Sequence, residues 1–128
     1  MNLPDVERSF VSIRSAVEGG SVRVTFAGTA DLRIQSALED FLAALHRETT
    51  ACSAVEVHVD VRDLEFMSSA CFRQIVGWVS QAEESASNYR ISFLCNPRLQ
   101  WQRRSMSALS SFAGNFVSVV NTSAEGNA

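Results

Sequence analysis

The sequence predicts a two-layer α/β domain, a mixed β-sheet with its helices packed mainly on one face, in the order β-β-α-β-α-β-α-β. Three observations carry this. Three stretches repeat apolar residues at helical offsets, and the segments between them read as strands. Where those strands alternate they leave one side polar, which a sheet covered on both faces would not do. Successive strands separated by a helix then pair in parallel through right-handed crossovers, while the first two are close enough for a hairpin.

Phe10 to Val17 reads as the first strand, closed by Gly19-Gly20. Ser21 to Gly28 follows, with Val22, Val24 and Phe26 on one face and Ser21, Arg23 and Thr25 on the other. From Arg33 to Arg47, the residues Ile34, Leu38, Phe41, Leu42 and Leu45 form the stripe of a helix docked on a core, with Asp31 near its start. Val55, Val57, Val59 and Val61 alternate with Glu56, His58, Asp60 and Arg62 in a third strand. Ser68 or Ser69 serves as N-cap of a second helix, whose stripe is Phe72, Ile75, Val76 and Val79 and whose end falls near Ser85. Tyr89 to Cys95 reads as a strand. Asn96-Pro97 signals the start of a third helix, because a fixed φ and a missing N–H suit the first turn. Leu99, Met106, Leu109 and Phe112 carry that helix to a stop at Gly114, and Asn115 to Val120 closes the sheet. One domain spans 8–121, with 1–7 and 122–128 as flexible termini.

Composition narrows the function. With 128 residues and 46% hydrophobic content the chain can bury about two-thirds of its unfolded surface without disulfides or metal. Eleven basic against 14 acidic residues, net -3, argue against nucleic acid as a partner. The apolar run Phe41 to Leu45 is far shorter than the roughly 18 to 20 residues of a bilayer span, and Met1 to Phe10 lacks the order of a signal peptide. A cytoplasmic protein with no direct membrane insertion is expected. Cys52, Cys71 and Cys95 have no paired spacing, so neither a disulfide framework nor a zinc knuckle is indicated.

Catalytic signatures are missing from the sequence. His46, at the end of the first helix, and His58, on the polar side of the third strand, lack metal-spaced companions, and no Gly-x-Ser-x-Gly elbow or Gly-rich phosphate loop occurs. No catalytic residue, metal or cofactor is expected. Trp101, Arg103 and Arg104, with Arg98 a turn earlier, are placed on the outer side of the third helix, where they suit carboxylates, phosphates or a protein interface, or form a plain solvated face. Trp78 reads as a core-edge residue that would line a groove between helices two and three. Cys71, inside the second helix's first turn, is either a dipole-activated thiol or a small buried hydrophobe.

The run DVRDLEFMSSACF, Asp60 to Phe72, resembles the STAS domain family, which includes bacterial anti-sigma factor antagonists and the cytoplasmic tails of sulfate transporters. That family carries an Asp on the third strand, an apolar loop, then Asp-Ser-Ser-Gly-Leu opening the second helix. Aligned without a gap, these five fall on Ser68, Ser69, Ala70, Cys71 and Phe72, and the phosphorylated Ser falls on Ser69. The stretch GTADLRI, Gly28 to Ile34, is similar to the family's Gly-x-x-Asp segment, with Asp31 in the Asp position. The resemblance implies a non-enzymatic regulatory domain that binds a protein, an anti-sigma or serine-kinase-like partner or a scaffold. Its surface would comprise Ser68, Ser69, Ala70 and Cys71 with Trp78, Trp101, Arg103 and Arg104 adjoining, and phosphorylation of Ser69, or of Ser68, would switch it. Two alternatives stay open: Ser68 and Ser69 as helix caps only, and a small-ligand or redox sensor in the groove between helices two and three. A homodimer is also an open option.

Overall fold

A computed structural model describes residues 3–85, 89–114 and 116–121. Its elements are β1 (Val6–Glu7), β2 (Val11–Glu18), β3 (Ser21–Ala30), a 3-10 turn (Leu32–Ile34), α1 (Gln35–Ala51), β4 (Glu56–Met67), α2 (Ser69–Glu84), β5 (Arg90–Cys95), α3 (Gln100–Ala113) and β6 (Val117–Asn121). The strands lie in sequence order in one sheet, β1 to β3 antiparallel and β3 to β6 parallel.

Period-two alternation becomes rows across this sheet. Val22, Val57, Ile91 and Val117 share one row, and Val24, Val59, Phe93 and Val119 the next. Those side chains pack with Ile34, Leu38 and Leu45 of the first helical segment, Ile75 and Val79 of α2, and Met106 and Leu109 of α3. The opposite face carries the row Arg23, His58, Ser92 and Ser118. The two-layer arrangement thus follows from the alternation.

Several boundaries differ from the sequence reading. The fold begins before residue 8, because Val6 and Glu7 pair with Ile13 and Ser12, and Leu3 packs on the core. Asp31 caps the 3-10 turn, accepting the Arg33 N–H at 3.0 Å, and α1 starts only at Gln35 and continues past Arg47 to Ala51. Gly28 adopts φ +99°, and a Cβ there would run into the Phe10 carbonyl, so no larger residue closes the β2–β3 pair as tightly. Residue 115 and the tail 122–128 lie outside the described residues.

The largest difference concerns β4, which the alternation ended at Arg62. It runs on to Met67, because two register shifts against β3 each insert an extra residue. Val61, Leu64 and Met67 therefore face the core at intervals of three, a spacing that reads as neither strand nor helix.

Helix α3 also starts later than Asn96-Pro97. The Asn96 side chain accepts the Arg98 N–H at 3.0 Å in a local turn, and its backbone N–H donates to Gln102 Oε1 at 2.8 Å. Leu99 occupies the N-cap without a side-chain bond. On the far side of the helix Phe112 is 53% exposed and Ala113 takes the buried position. A continuation of the stripe to Ala113 displaces Phe112 outward.

A buried hydrogen-bond chain ties three elements together at the end of the sheet remote from Ser69. Trp78 Nε1 donates to the Tyr89 hydroxyl at 3.0 Å, and that hydroxyl lies 2.7 Å from His46 Nδ1. Indole can only donate, so Tyr89 accepts from Trp78, and a neutral His46 ring protonated on Nε2 can accept the Tyr89 proton in turn. Burial pushes the Tyr89 hydroxyl up to about 12 and holds the His46 imidazole below its ordinary 6.5. Burial thus favours the neutral form of His46 within this chain. The folded protein takes up this proton less readily than the unfolded chain, so stability should be full above pH 6.5 and decline as pH falls below it. Thermal melts between about pH 7 and pH 5 should show a steeper loss for the wild type than for His46→Gln; parallel slopes would show that His46 contributes nothing to acid lability.

Candidate functional site

Parallel strands end together, and here β3 and β4 deliver their connections to one end of the sheet. Beyond Ala30 the chain enters Asp31, Leu32 and Arg33; beyond Met67 it enters Ser68 and Ser69. The two connections are tied directly. The Ser68 N–H donates to the Ala30 carbonyl at 2.8 Å, the Cys71 thiol to the Asp31 carbonyl at 3.5 Å, and Gln74 Nε2 to the Gln35 carbonyl at 3.2 Å.

The two candidate serines have different roles in this frame. Ser68 is the N-cap of α2, its Oγ accepting the Cys71 N–H at 3.2 Å. Ser69 is the first helical residue and is exposed. At the same two connections, Leu32, beyond β3, is 70% exposed, and Phe66, next to last in β4, is 47% exposed. Single exposed apolar residues are ordinary, as at Val17, Val55 and Phe112, whereas contiguous apolar patches mark interaction surfaces, and these two flank the connections that carry Ser69. Neither was singled out from the sequence, because Leu32 sits just off the α1 stripe and Phe66 within an apparent apolar loop. Nothing in a sequence distinguishes an apolar residue left outside from one taken in.

Charge frames the patch. Arg33 makes three side-chain hydrogen bonds of 2.8 to 3.2 Å to the Asp31 carboxylate and lies 3.7 Å over the Phe10 ring. The Arg33 hydrogen bonds hold the Asp31 carboxyl below its usual range. Asp31 thus organises the turn that presents Leu32.

Other expected site residues are located elsewhere. Cys71 is fully buried with its thiol on Asp31, and Ala70 is half-buried beside it. Trp78, 3% exposed, is on the α1 side of α2, bordering a groove of about 480 Å³ with Gln35, Gln74 and Gln81, and does not line a groove between α2 and α3. Trp101 is turned inward from α3, its Nε1 donating to the Leu64 carbonyl at 3.0 Å and its ring among Phe72, Ile75 and Met106. Only Arg103 and Arg104 stay outside, and Arg103 is engaged at 2.6 Å with the Pro97 carbonyl. The cavity where α2 and α3 meet measures about 10 Å³, room for one water and not for a metabolite. Among the described residues no cluster of three or more His, Cys, Asp or Glu could hold a metal, and no helix is long and apolar enough to cross a membrane.

This architecture matches a solved one. The crystal structure of an anti-sigma factor antagonist from Mycobacterium paratuberculosis superposes with a TM-score of 0.65 at 14% identity, over 86% of this chain and 85% of that one. The chain has a STAS-like fold. No family model matches it, and no curated protein matches in sequence. What unites this STAS-like domain with its structural neighbour is therefore backbone arrangement, reached with a sequence far from it.

Two measurements check the inward placement of Trp101 and Cys71. Trp101→Ala should destabilise the STAS-like domain by about 3 kcal/mol in urea titrations, because it removes a packed ring and leaves the Leu64 carbonyl one donor short. A loss below about 0.5 kcal/mol would return Trp101 to the surface. A maleimide should label exposed Cys52 quickly, and Cys71 and Cys95 only after denaturation. Burial raises the Cys95 thiol to about 12, which reinforces that protection. Fast native-state labelling of Cys71 would overturn its assignment as a core thiol.

Proposed function

We propose that this STAS-like domain is a non-enzymatic, cytoplasmic regulatory module that binds a protein partner through Leu32, Phe66 and the exposed start of α2, with Ser69 as the residue whose modification breaks the contact. The observation that carries the reading is the pairing of two exposed apolar side chains with an exposed Ser69, while the neighbouring Ser68 hydroxyl is committed to the helix cap. The structural neighbour's name, anti-sigma factor antagonist, supports a partner of the anti-sigma or serine-kinase type, with a scaffold protein as the broader class.

A phosphate on Ser69 suits this chemistry. The first turn of α2 offers backbone N–H groups and the positive end of the helix dipole, so a dianion there is tolerated by the domain itself. The same charge set against a desolvated partner surface loses its water without gaining a counter-charge. Stability and binding respond in opposite ways, which is what a switch requires.

The test is affinity capture from the native organism with four baits, read by mass spectrometry for partners and phosphosites. Ser69→Glu should leave the melting temperature unchanged or slightly raised, since charge in a first helical turn is worth about 0.3 to 1 kcal/mol, and should lose the partner that the wild type retains. Ser69→Ala should keep it. Phe66→Ala should weaken it by about tenfold or more at little cost to the fold, as expected for an exposed aromatic anchor. A Ser69→Glu bait that holds the partner as tightly as wild type would reduce Ser69 to a helix-start residue on a constitutive binding module.

A further inference from the structure

The two edges of the sheet are protected very differently. At one edge, β1 is only two residues long and is crowded by charge, with Arg14 3.0 Å from Glu7 and Arg8 adjoining. Short, charged edge strands are the common defence against further strand pairing. At the other edge, β6 has five residues, Val117–Asn121, three of them Val and none charged or proline. Among the described residues nothing pairs with its outer side.

The backbone direction of that edge can be read from its pairing with β5. The Phe116 carbonyl accepts the Ile91 N–H at 3.5 Å, so in the parallel ladder Ser118 and Val120 also turn their N–H and C=O groups toward β5. Val117, Val119 and Asn121 then present theirs outward. An uncharged β-branched strand with alternate residues unpaired is a template for one more strand.

We propose that a second copy of this chain supplies it, the two β6 strands pairing antiparallel about Val119 to make one sheet continuous across the pair. Self-complementarity favours this occupant. Centred on Val119, the pairing sets two β-branched side chains together on the helix side and Ser118 beside Val120 of the other copy on the open side, where Val120 is now 44% exposed. Charge does not oppose it. Arg103 lines the groove of about 460 Å³ between α3 and β6 together with Asn121. An antiparallel pair places the two Arg103 residues at opposite ends of five-residue strands, about 16 Å apart, beyond a screening length of about 8 Å at physiological salt. Ser107 and Ser110 line the same groove and are small enough to let the two α3 helices approach. Of the described residues that line this groove, one, Arg103, is basic, so an extended acidic segment of another protein finds little complementary charge there.

Sedimentation velocity on the full chain, from low micromolar to several hundred micromolar, tests this. The wild type should climb from the mass of one chain toward that of two. Ser118→Lys adds an edge lysine at an exposed position, and should stay at the mass of one chain with an unchanged melting temperature. Val119→Pro removes an outward N–H while leaving the β5 ladder intact, and should also stay at the mass of one chain, at some cost in melting temperature from the lost Val119 packing. A wild type that remains one chain throughout, whether its edge is taken by its own tail or left for another protein, overturns the proposal. So does a dimer that persists in both variants.

Discussion

The overrun of β4 past its neighbour β5 is the constraint around which this domain is built. β5 pairs with β4 only as far as Asp60, yet β4 continues to Met67, so the carbonyls of Val61, Arg62 and Leu64 have no strand to receive them. Left unmade inside a core, each such group costs about 1 to 3 kcal/mol. The start of α3 and the Asn96 turn before it satisfy all three. Gln102 Nε2 donates to Val61 at 2.5 Å and Leu64 at 3.2 Å, Trp101 Nε1 to Leu64 at 3.0 Å, and Asn96 Nδ2 to Arg62 at 3.4 Å. Gln102 is 1% exposed and accepts the Asn96 N–H as well, so the whole side chain is used. Helix α3 is therefore held by polar bonds at its start and by Met106, Leu109 and Ala113 along its length.

Electrostatics on the open face fix where the overrun begins. Asp60 is only 8% exposed, and burial alone would raise its carboxyl pKa. The Arg62 hydrogen bonds at 2.9 and 3.1 Å, the Arg62 backbone N–H and the nearby Arg23 outweigh that and hold it below the ordinary range. Arg62, bound to Asp60, lies within the first register shift, between Asp60 and Asp63. The strand bends at a point where its side chain is already committed.

Helix α2 is anchored along its length in a complementary way. Its first turn is tied to the β3 connection through Ser68, Cys71 and Gln74, and its later turns to β5 and α1 through the Trp78–Tyr89–His46 chain. Between these anchors the apolar stripe lies on the sheet. Ser69 is left on the outside of a helix held at both ends, and the connections that meet at its start also carry exposed Phe66, from the overrun of β4, and Leu32, from the Asp31–Arg33 turn. Chemistry at Ser69 changes a surface and leaves the packing alone, which is the property that makes the proposed switch compatible with a stable domain.

Local patterns determined much of this in advance. The valines at 57, 59 and 61, and the stripes Ile34–Leu45 and Phe72–Val79, specify strand, helix and the face each buries, because those choices depend on period alone. They also placed Ser68 and Ser69 at the start of α2, since a serine before an apolar stripe is a capping signal that neighbours in sequence can supply. Only the tertiary structure decided the end of β4, the start of α3, and which tryptophans face in. The inserted residues of β4 break the period by which a strand is recognised. Asn96 and Pro97 form a turn because the Asn96 N–H is claimed by Gln102, six residues on. Trp101 turns inward to a carbonyl 37 residues earlier in the chain. The exposed pair Leu32 and Phe66 belongs to the same class. Whether an apolar side chain is covered depends on what arrives from elsewhere in the fold, and a sequence records only which side chains are available to be covered.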